Sequence, residues 1–126
     1  MLRDVLGRYL ASVESAILKC KNTYVERYTE EVITPTRANL RIRLRFTNGS
    51  LMEINEALVV QENRLVPLDY RYHFQDKENN LIFRYDNTPH FPHIASFPHH
   101  KHLPNKVRAS QKPDIEQVLR EAEEST

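Results

Sequence analysis

Apolar residues along the first twenty positions recur at spacings of three and four. Leu2, Val5, Leu6, Tyr9, Leu10, Val13, Ile17 and Cys20 fall on one stripe of helical period, so the pattern predicts a helix over residues 1–21. Asn22-Thr23 interrupts it, and the aromatic and β-branched run from Tyr24 to Thr34 predicts a first strand that Pro35 ends. The next pattern changes period. Leu40, Ile42, Leu44 and Phe46 alternate with Arg41, Arg43 and Arg45, which predicts a strand with one apolar and one cationic face. Asn48-Gly49 then signals a turn. A two-residue loop would oppose Leu44 to Glu53 and drive charge into the core, whereas a three-residue turn with Gly49 in a left-handed bulge opposes Leu44 to Met52, Ile42 to Ile54 and Arg43 to Glu53.

Leu65 to Gln75 and Leu81 to Asn87 predict a second hairpin across the polar segment 76–80. The register that groups aromatics sets Phe74 near Phe83 and Tyr72 near Tyr85, with Arg71, His73, Arg84 and Asp86 together on the other face. Five prolines and five histidines between Thr88 and Pro113 argue against long regular structure, so residues 88–112 are expected to be a loop. Pro113 opens a short helix over 113–124 with Ile115, Val118 and Leu119 as its apolar face. Strands and helices do not alternate, so the expected class is α+β: a single domain over 1–126. Its antiparallel sheet, residues 23–87, is expected to have about five strands, with one face under the N-terminal helix and the other polar and basic.

Composition narrows the function classes. With 126 residues, 40% hydrophobic and 28% charged, one ordinary domain accounts for the whole chain. The longest aliphatic run is Ala57-Leu58-Val59-Val60, well short of the roughly 18 to 20 apolar residues of a membrane span, and the N-terminus has no signal-peptide segment. A cytoplasmic protein with no membrane partner is expected. Cys20 is the sole cysteine, which excludes an internal disulfide framework and any multi-cysteine zinc site, and reads as a small buried hydrophobe. Charge is nearly balanced overall but unevenly placed: residues 114–126 carry five acids and one base, leaving 17 bases against 12 acids before them. A basic body with an acidic tail suits anion binding.

Three clusters bear on chemistry. Arg41, Arg43 and Arg45 would project about 7 Å apart, near the phosphate repeat of a single strand. The plainer alternative is a solvated face with Glu53 as ion-pair partner. Tyr70 to Phe74 and Phe83 to Asn87 interleave aromatics with cations, as a base-stacking surface does and as a half-buried hairpin also does. The segment His90-Phe91-Pro92-His93, then Phe97-Pro98-His99-His100-Lys101-His102, is harder to explain by packing. Its imidazoles suit zinc or nickel, yet no cysteine or HExxH helix accompanies them, and Asp86 is the one acid near the basic cluster. The preferred reading is therefore metal-independent and cofactor-free phosphodiester chemistry. One neutral histidine takes the ribose 2′-hydroxyl proton, another group protonates the leaving oxygen, and Lys101 and Arg84 stabilise charge on phosphorus. With two glycines, and without a P-loop, GxGxxG or GxSxG motif, triphosphatase, dehydrogenase and serine hydrolase readings fall away.

The elements Tyr70-Arg71-Tyr72-His73-Phe74-Gln75, Phe83-Arg84-Tyr85-Asp86-Asn87-Thr88-Pro89-His90 and Phe97-Pro98-His99-His100-Lys101-His102 resemble the TumE-type toxins of two-gene toxin–antitoxin modules. The likeness runs from the arginine strand to the last helix. It implies a toxin made beside an antitoxin, usually one with a helix-turn-helix domain, and action on RNA. The positions it carries over are Tyr72, His73, Arg84, Tyr85, Asp86, His90, His99, His100, Lys101 and His102. The leading expectation is an endoribonuclease toxin in which His99, His100 or His102 transfers protons, Arg84 and Lys101 hold phosphate, and Tyr72 or Tyr85 stacks a base. Arg41, Arg43, Arg45, Arg71, His73, Asp86 and His90 would complete the substrate surface. The alternatives are a non-enzymatic module that binds nucleic acid or a partner through the same basic surface, and a histidine metal site.

Overall fold

The structure is a computed structural model, and residues 4–126 are described. Leu2, the first residue of the predicted apolar stripe, lies outside them. Helix α1 (Val5–Leu18) starts where the Asp4 carboxylate accepts from the Gly7 amide, and it buries Leu6, Leu10, Val13, Ala16 and Ile17. It stops short of residue 21, since the Cys20 amide closes a last turn on the Ile17 carbonyl and Asn22 takes a left-handed φ of 59°.

Seven strands follow in a sequential antiparallel meander: β1 (Thr23–Thr34), β2 (Arg37–Phe46), β3 (Leu51–Gln61), β4 (Arg64–Gln75), β5 (Leu81–Asp86), β6 (His100–Leu103) and β7 (Lys106–Ala109). The expected hairpin registers are present. Leu44 pairs with Met52, Ile42 with Ile54 and Arg43 with Glu53, across a three-residue turn in which Gly49 has φ 94°. Tyr72 pairs with Tyr85 and Phe74 with Phe83. Between β3 and β4, Glu62 and Asn63 both take positive φ and close a two-residue loop.

The sheet has seven strands and not about five, because the proline-rich segment 88–112 is not wholly a loop. Its His100–Leu103 stretch adds to the β5 edge, and Pro104-Asn105 turns the chain back as β7. Pro98 and Pro104 fall outside the paired residues, where no ladder amide is required of them. Four-residue strands carry too little alternation to be seen in sequence; the exposed edge of β5 is what organises them.

Helix α2 (Ile115–Glu124) begins with a capping box in which Asp114 and Gln117 satisfy one another's backbone amides, and it buries Ile115, Val118, Leu119 and Ala122. Both helices pack on one face of the sheet, over Leu40, Ile42, Leu44, Ile54, Tyr72, Phe74 and Phe83. The pleat sends the intervening residues to the opposite, open face: Arg41, Arg43 and Arg45 on β2, Glu53 and Asn55 on β3, Arg71 and His73 on β4, Arg84 and Asp86 on β5, and His100 and His102 on β6. Among the described residues no helix is long and apolar enough to cross a membrane.

Candidate functional site

The strand β6 decides which histidines meet. Within it, side chains alternate between faces, so His100 and His102 point to the open face while Lys101 points beneath the helices. His100 lies across from Asp86, and His102 across from Arg84. The Asp86 carboxylate is 2.9 Å from His100 Nε2 through Oδ1 and 3.3 Å from His102 Nε2 through Oδ2, and the two Nε2 atoms are 3.0 Å apart. Asp86 and His100 are 4% and 2% exposed, so these polar groups meet with little water between them, whereas His102 remains partly open. The ring of Phe91 meets both imidazoles edge-on, at 5.0 and 6.0 Å.

Backbone groups orient this cluster. The Thr88 amide donates to Asp86 Oδ1 at 3.0 Å, and the Pro98 carbonyl accepts at 2.9 Å from His100 Nδ1, which must therefore carry a proton. His102 Nε2 faces the Asp86 carboxylate, which only accepts, so this nitrogen carries the proton of a neutral ring and the basic nitrogen of His102 is Nδ1. Burial holds His102 below the usual imidazole range; the Asp86 carboxylate opposes this, and His100 and Arg84 reinforce it. His102 is thereby neutral near pH 7. Three side chains, Asp86, His100 and His102, bring ligand atoms within 4.8 Å of one another and form the group able to hold a metal ion among the described residues.

Arg84 is positioned by a second, complete chain of hydrogen bonds. His73 Nε2 donates to Gln75 Oε1 at 2.9 Å, which leaves Nδ1 free to accept from Arg84 Nε at 3.2 Å. Burial, with Arg84 and Arg71 in the same direction, keeps His73 below its usual pKa and so neutral. Arg71 is exposed across the ladder from Asp86. His90 is exposed against the edge of Phe91.

The arginine stripe shares this face at its other end. Three strands intervene between β2 and β6, which places the stripe about 19 Å from the histidines at the usual strand spacing. Its charge is largely matched. A bulge in β1 leaves Glu26 unpaired in the ladder and aims it at β2, where it meets Arg43 Nε at 2.8 Å and Arg45 Nε at 3.0 Å. These contacts lower the Glu26 pKa and raise that of Arg45. Glu53, the partner expected from sequence, is farther from Arg43 at 3.7 Å. Arg41 is exposed in a shallow groove with Arg27, Thr29, Glu31 and Asn39.

Four expected site residues are on the wrong side of the sheet to join His100 and His102. Tyr72 is fully buried and donates its hydroxyl to Glu56, whose other oxygen accepts from Tyr9 at 2.6 Å; burial and the Glu56 charge raise both phenol pKa values. Lys101 Nζ meets Glu121 of α2 at 2.6 Å and sits over the rings of Tyr85 and Phe83, and the Tyr85 hydroxyl donates to the same carboxylate at 2.6 Å. His99 stacks on Tyr70, with Nδ1 3.0 Å from the Tyr70 hydroxyl, and burial holds it neutral. These residues tie the sheet to the helices and the loop to the sheet. Sequence reasoning placed 99–102 in one loop and so treated all four as one site; strand alternation separates them. Sequence assigns no role in the site to Phe91, Pro98 and Thr88, of which only the aromatic among histidines leaves a signal, since the other two act through backbone atoms. The family described as Toxin TumE matches residues 13–126 of the chain. No curated protein and no solved structure matches it.

Proposed function

The chain belongs to the TumE toxin family, a toxin whose partner is an antitoxin, and on that premise we propose that it acts in the cytoplasm by cleaving RNA on the open face of its sheet. The observation that supports this reading is the Asp86–His100–His102 cluster beside Arg84 on a helix-free, arginine-rich surface. Cleavage by the ribose 2′-hydroxyl forms a 2′-O–P bond and breaks the P–O5′ bond, so it needs a base to take the 2′ proton, return of a proton to the departing 5′-oxygen by the protonated base or by water, and a cation to neutralise the phosphate. His102 supplies the base: it is partly open, neutral, and held at Nε2 by the Asp86 carboxylate, so that Nδ1 is the nitrogen with a lone pair to offer. Arg84, fixed through His73, supplies the cation, and Arg71 and the unmatched part of the arginine stripe extend a path for the backbone. Asp86 and His100 are positioning residues because burial keeps them from the substrate. Lys101, Tyr72, Tyr85 and His99 have structural roles in this scheme. The antitoxin is read as a helix-turn-helix protein.

Expression of the toxin alone should arrest growth and create new RNA ends, both suppressed by the antitoxin. His102→Ala and Arg84→Ala, at unchanged soluble level, should each lower cleavage by about 100-fold, within the range for loss of acid–base or electrostatic groups. Arrest without new RNA ends, or cleavage intact in both variants, overturns the proposal. Salt-sensitive RNA binding without cleavage would point instead to a binding module.

A further inference from the structure

No placement of protons on the two Nε2 atoms satisfies all three contacts of the histidine cluster. His100 Nδ1 donates to the Pro98 carbonyl, so only a second ring proton would let its Nε2 donate to Asp86 Oδ1, 2.9 Å away. Without that proton a lone pair faces a carboxylate oxygen, and with it two Nε2–H groups face one another at 3.0 Å, in a site whose Asp86 and His100 are almost fully buried, where such a conflict costs free energy. His102 Nε2 has a single proton and cannot serve both His100 and Asp86 with a linear bond. By contrast, the neighbouring Arg84–His73–Gln75 chain is satisfied at each atom. One cation shared by all three ligand atoms would resolve the conflict.

We propose that Asp86, His100 and His102 bind one divalent transition metal ion of the zinc class, and that its binding switches the ribonuclease off. The donor set is two imidazole nitrogens and one carboxylate, which such ions favour. Ligands at zinc distances of about 2.0–2.1 Å in a tetrahedron stand about 3.3 Å from one another. The two Nε2 atoms stand 3.0 Å apart, each beside one oxygen of the Asp86 carboxylate at 2.9 and 3.3 Å, and one ligand atom from each of the three residues lies within 4.8 Å of the others, so the carboxylate can ligate through either oxygen. The outer shell is in place as well: the Pro98 carbonyl holds His100 in the tautomer that offers Nε2, and the Thr88 amide holds Asp86. Partly exposed His102 marks the side of entry. Bound at His102 Nε2, the ion forces the imidazole proton to Nδ1, which removes the base that cleavage requires. The inhibition rests on the ribonuclease reading; the binding does not.

The test uses the full chain purified without a histidine tag and stripped with a chelator. Zn²⁺ calorimetry and the visible bands of Co²⁺ should report one ion per chain, with binding weakened at least 100-fold in His102→Gln and in Asp86→Asn at unchanged circular dichroism, and retained in His99→Gln. Nitrogen NMR of the imidazoles should show Nε2 of His100 and His102 moving together on addition of Zn²⁺. Failure to bind one equivalent, binding that survives both site substitutions, or a His100 ring protonated at both nitrogens and unmoved by equimolar Zn²⁺ overturns the metal site. In the RNA assay, equimolar Zn²⁺ should lower cleavage at least tenfold and chelator should restore it; cleavage indifferent to the bound ion overturns the inhibition. One-to-one binding by a protein that cleaves RNA neither with nor without the ion supports the metal site and overturns the ribonuclease reading.

Discussion

The two ends of the open sheet face carry charge in opposite ways. At the β1–β3 end, three arginines project toward solvent and Glu26 bridges two of them, so each charge keeps water or a counter-charge. At the β4–β6 end, one carboxylate and two imidazoles converge, Asp86 and His100 out of water, in three contacts that no placement of protons satisfies together. The arginines are the more conspicuous in sequence, yet an exposed, matched ion pair contributes little to stability and holds nothing poised. A buried, incompletely matched cluster is where binding a proton, an ion or a substrate changes free energy most.

Substitutions at the histidine end should therefore have the larger effects. His100→Ala strands the buried Asp86 carboxylate and should cost about 3–4 kcal/mol of stability in urea unfolding; a loss below about 1 kcal/mol would place the two ends on a par. Beneath the sheet, Tyr72→Phe removes one of the two phenols that donate to buried Glu56 and should cost about 1.5–3 kcal/mol while growth arrest at equal soluble level persists. Loss of arrest without loss of stability would return Tyr72 to the site.

Acid sharpens the contrast further. The folded protein holds His73 below its usual pKa of 6.5, so as pH falls below that value the unfolded chain takes up a proton that the folded chain refuses, and stability declines toward the folded pKa. His99 and His102 act in the same sense. Urea midpoints measured from pH 7.5 to 5 should fall, and His73→Gln should reduce the slope; an unchanged slope would show that His73 titrates alike in both states. The smallest effect is expected at the arginine end: Arg43→Ala should change stability by less than about 1 kcal/mol and weaken RNA binding less than Arg84→Ala does, measured by salt-dependent titration.

The first five strands were legible because β1 is rich in aromatic and β-branched residues, because β2 alternates, and because wrong registers would bury charge: Leu44 opposite Glu53 is excluded, and Leu44 opposite Met52 remains. The same logic set Tyr72 against Tyr85 and placed Arg71, His73, Arg84 and Asp86 on one face. The last two strands were not legible. Four residues flanked by proline offer no period to read, and their pairing depends on the free edge that β5 presents.

Sequence alone determined the class of fold, the core face of the sheet, the turn at Gly49 and the residues from which a site could be built, since period, turn chemistry and the cost of buried charge are local or pairwise. The tertiary structure decided which of those residues meet. Pairing of β6 with β5 turned four adjacent positions into two opposed sets, sending Lys101 to Glu121 and stacking His99 on Tyr70, while His100 and His102 closed on Asp86. That outcome depends on which edge a short strand joins, and an edge exists only once the rest of the sheet has formed.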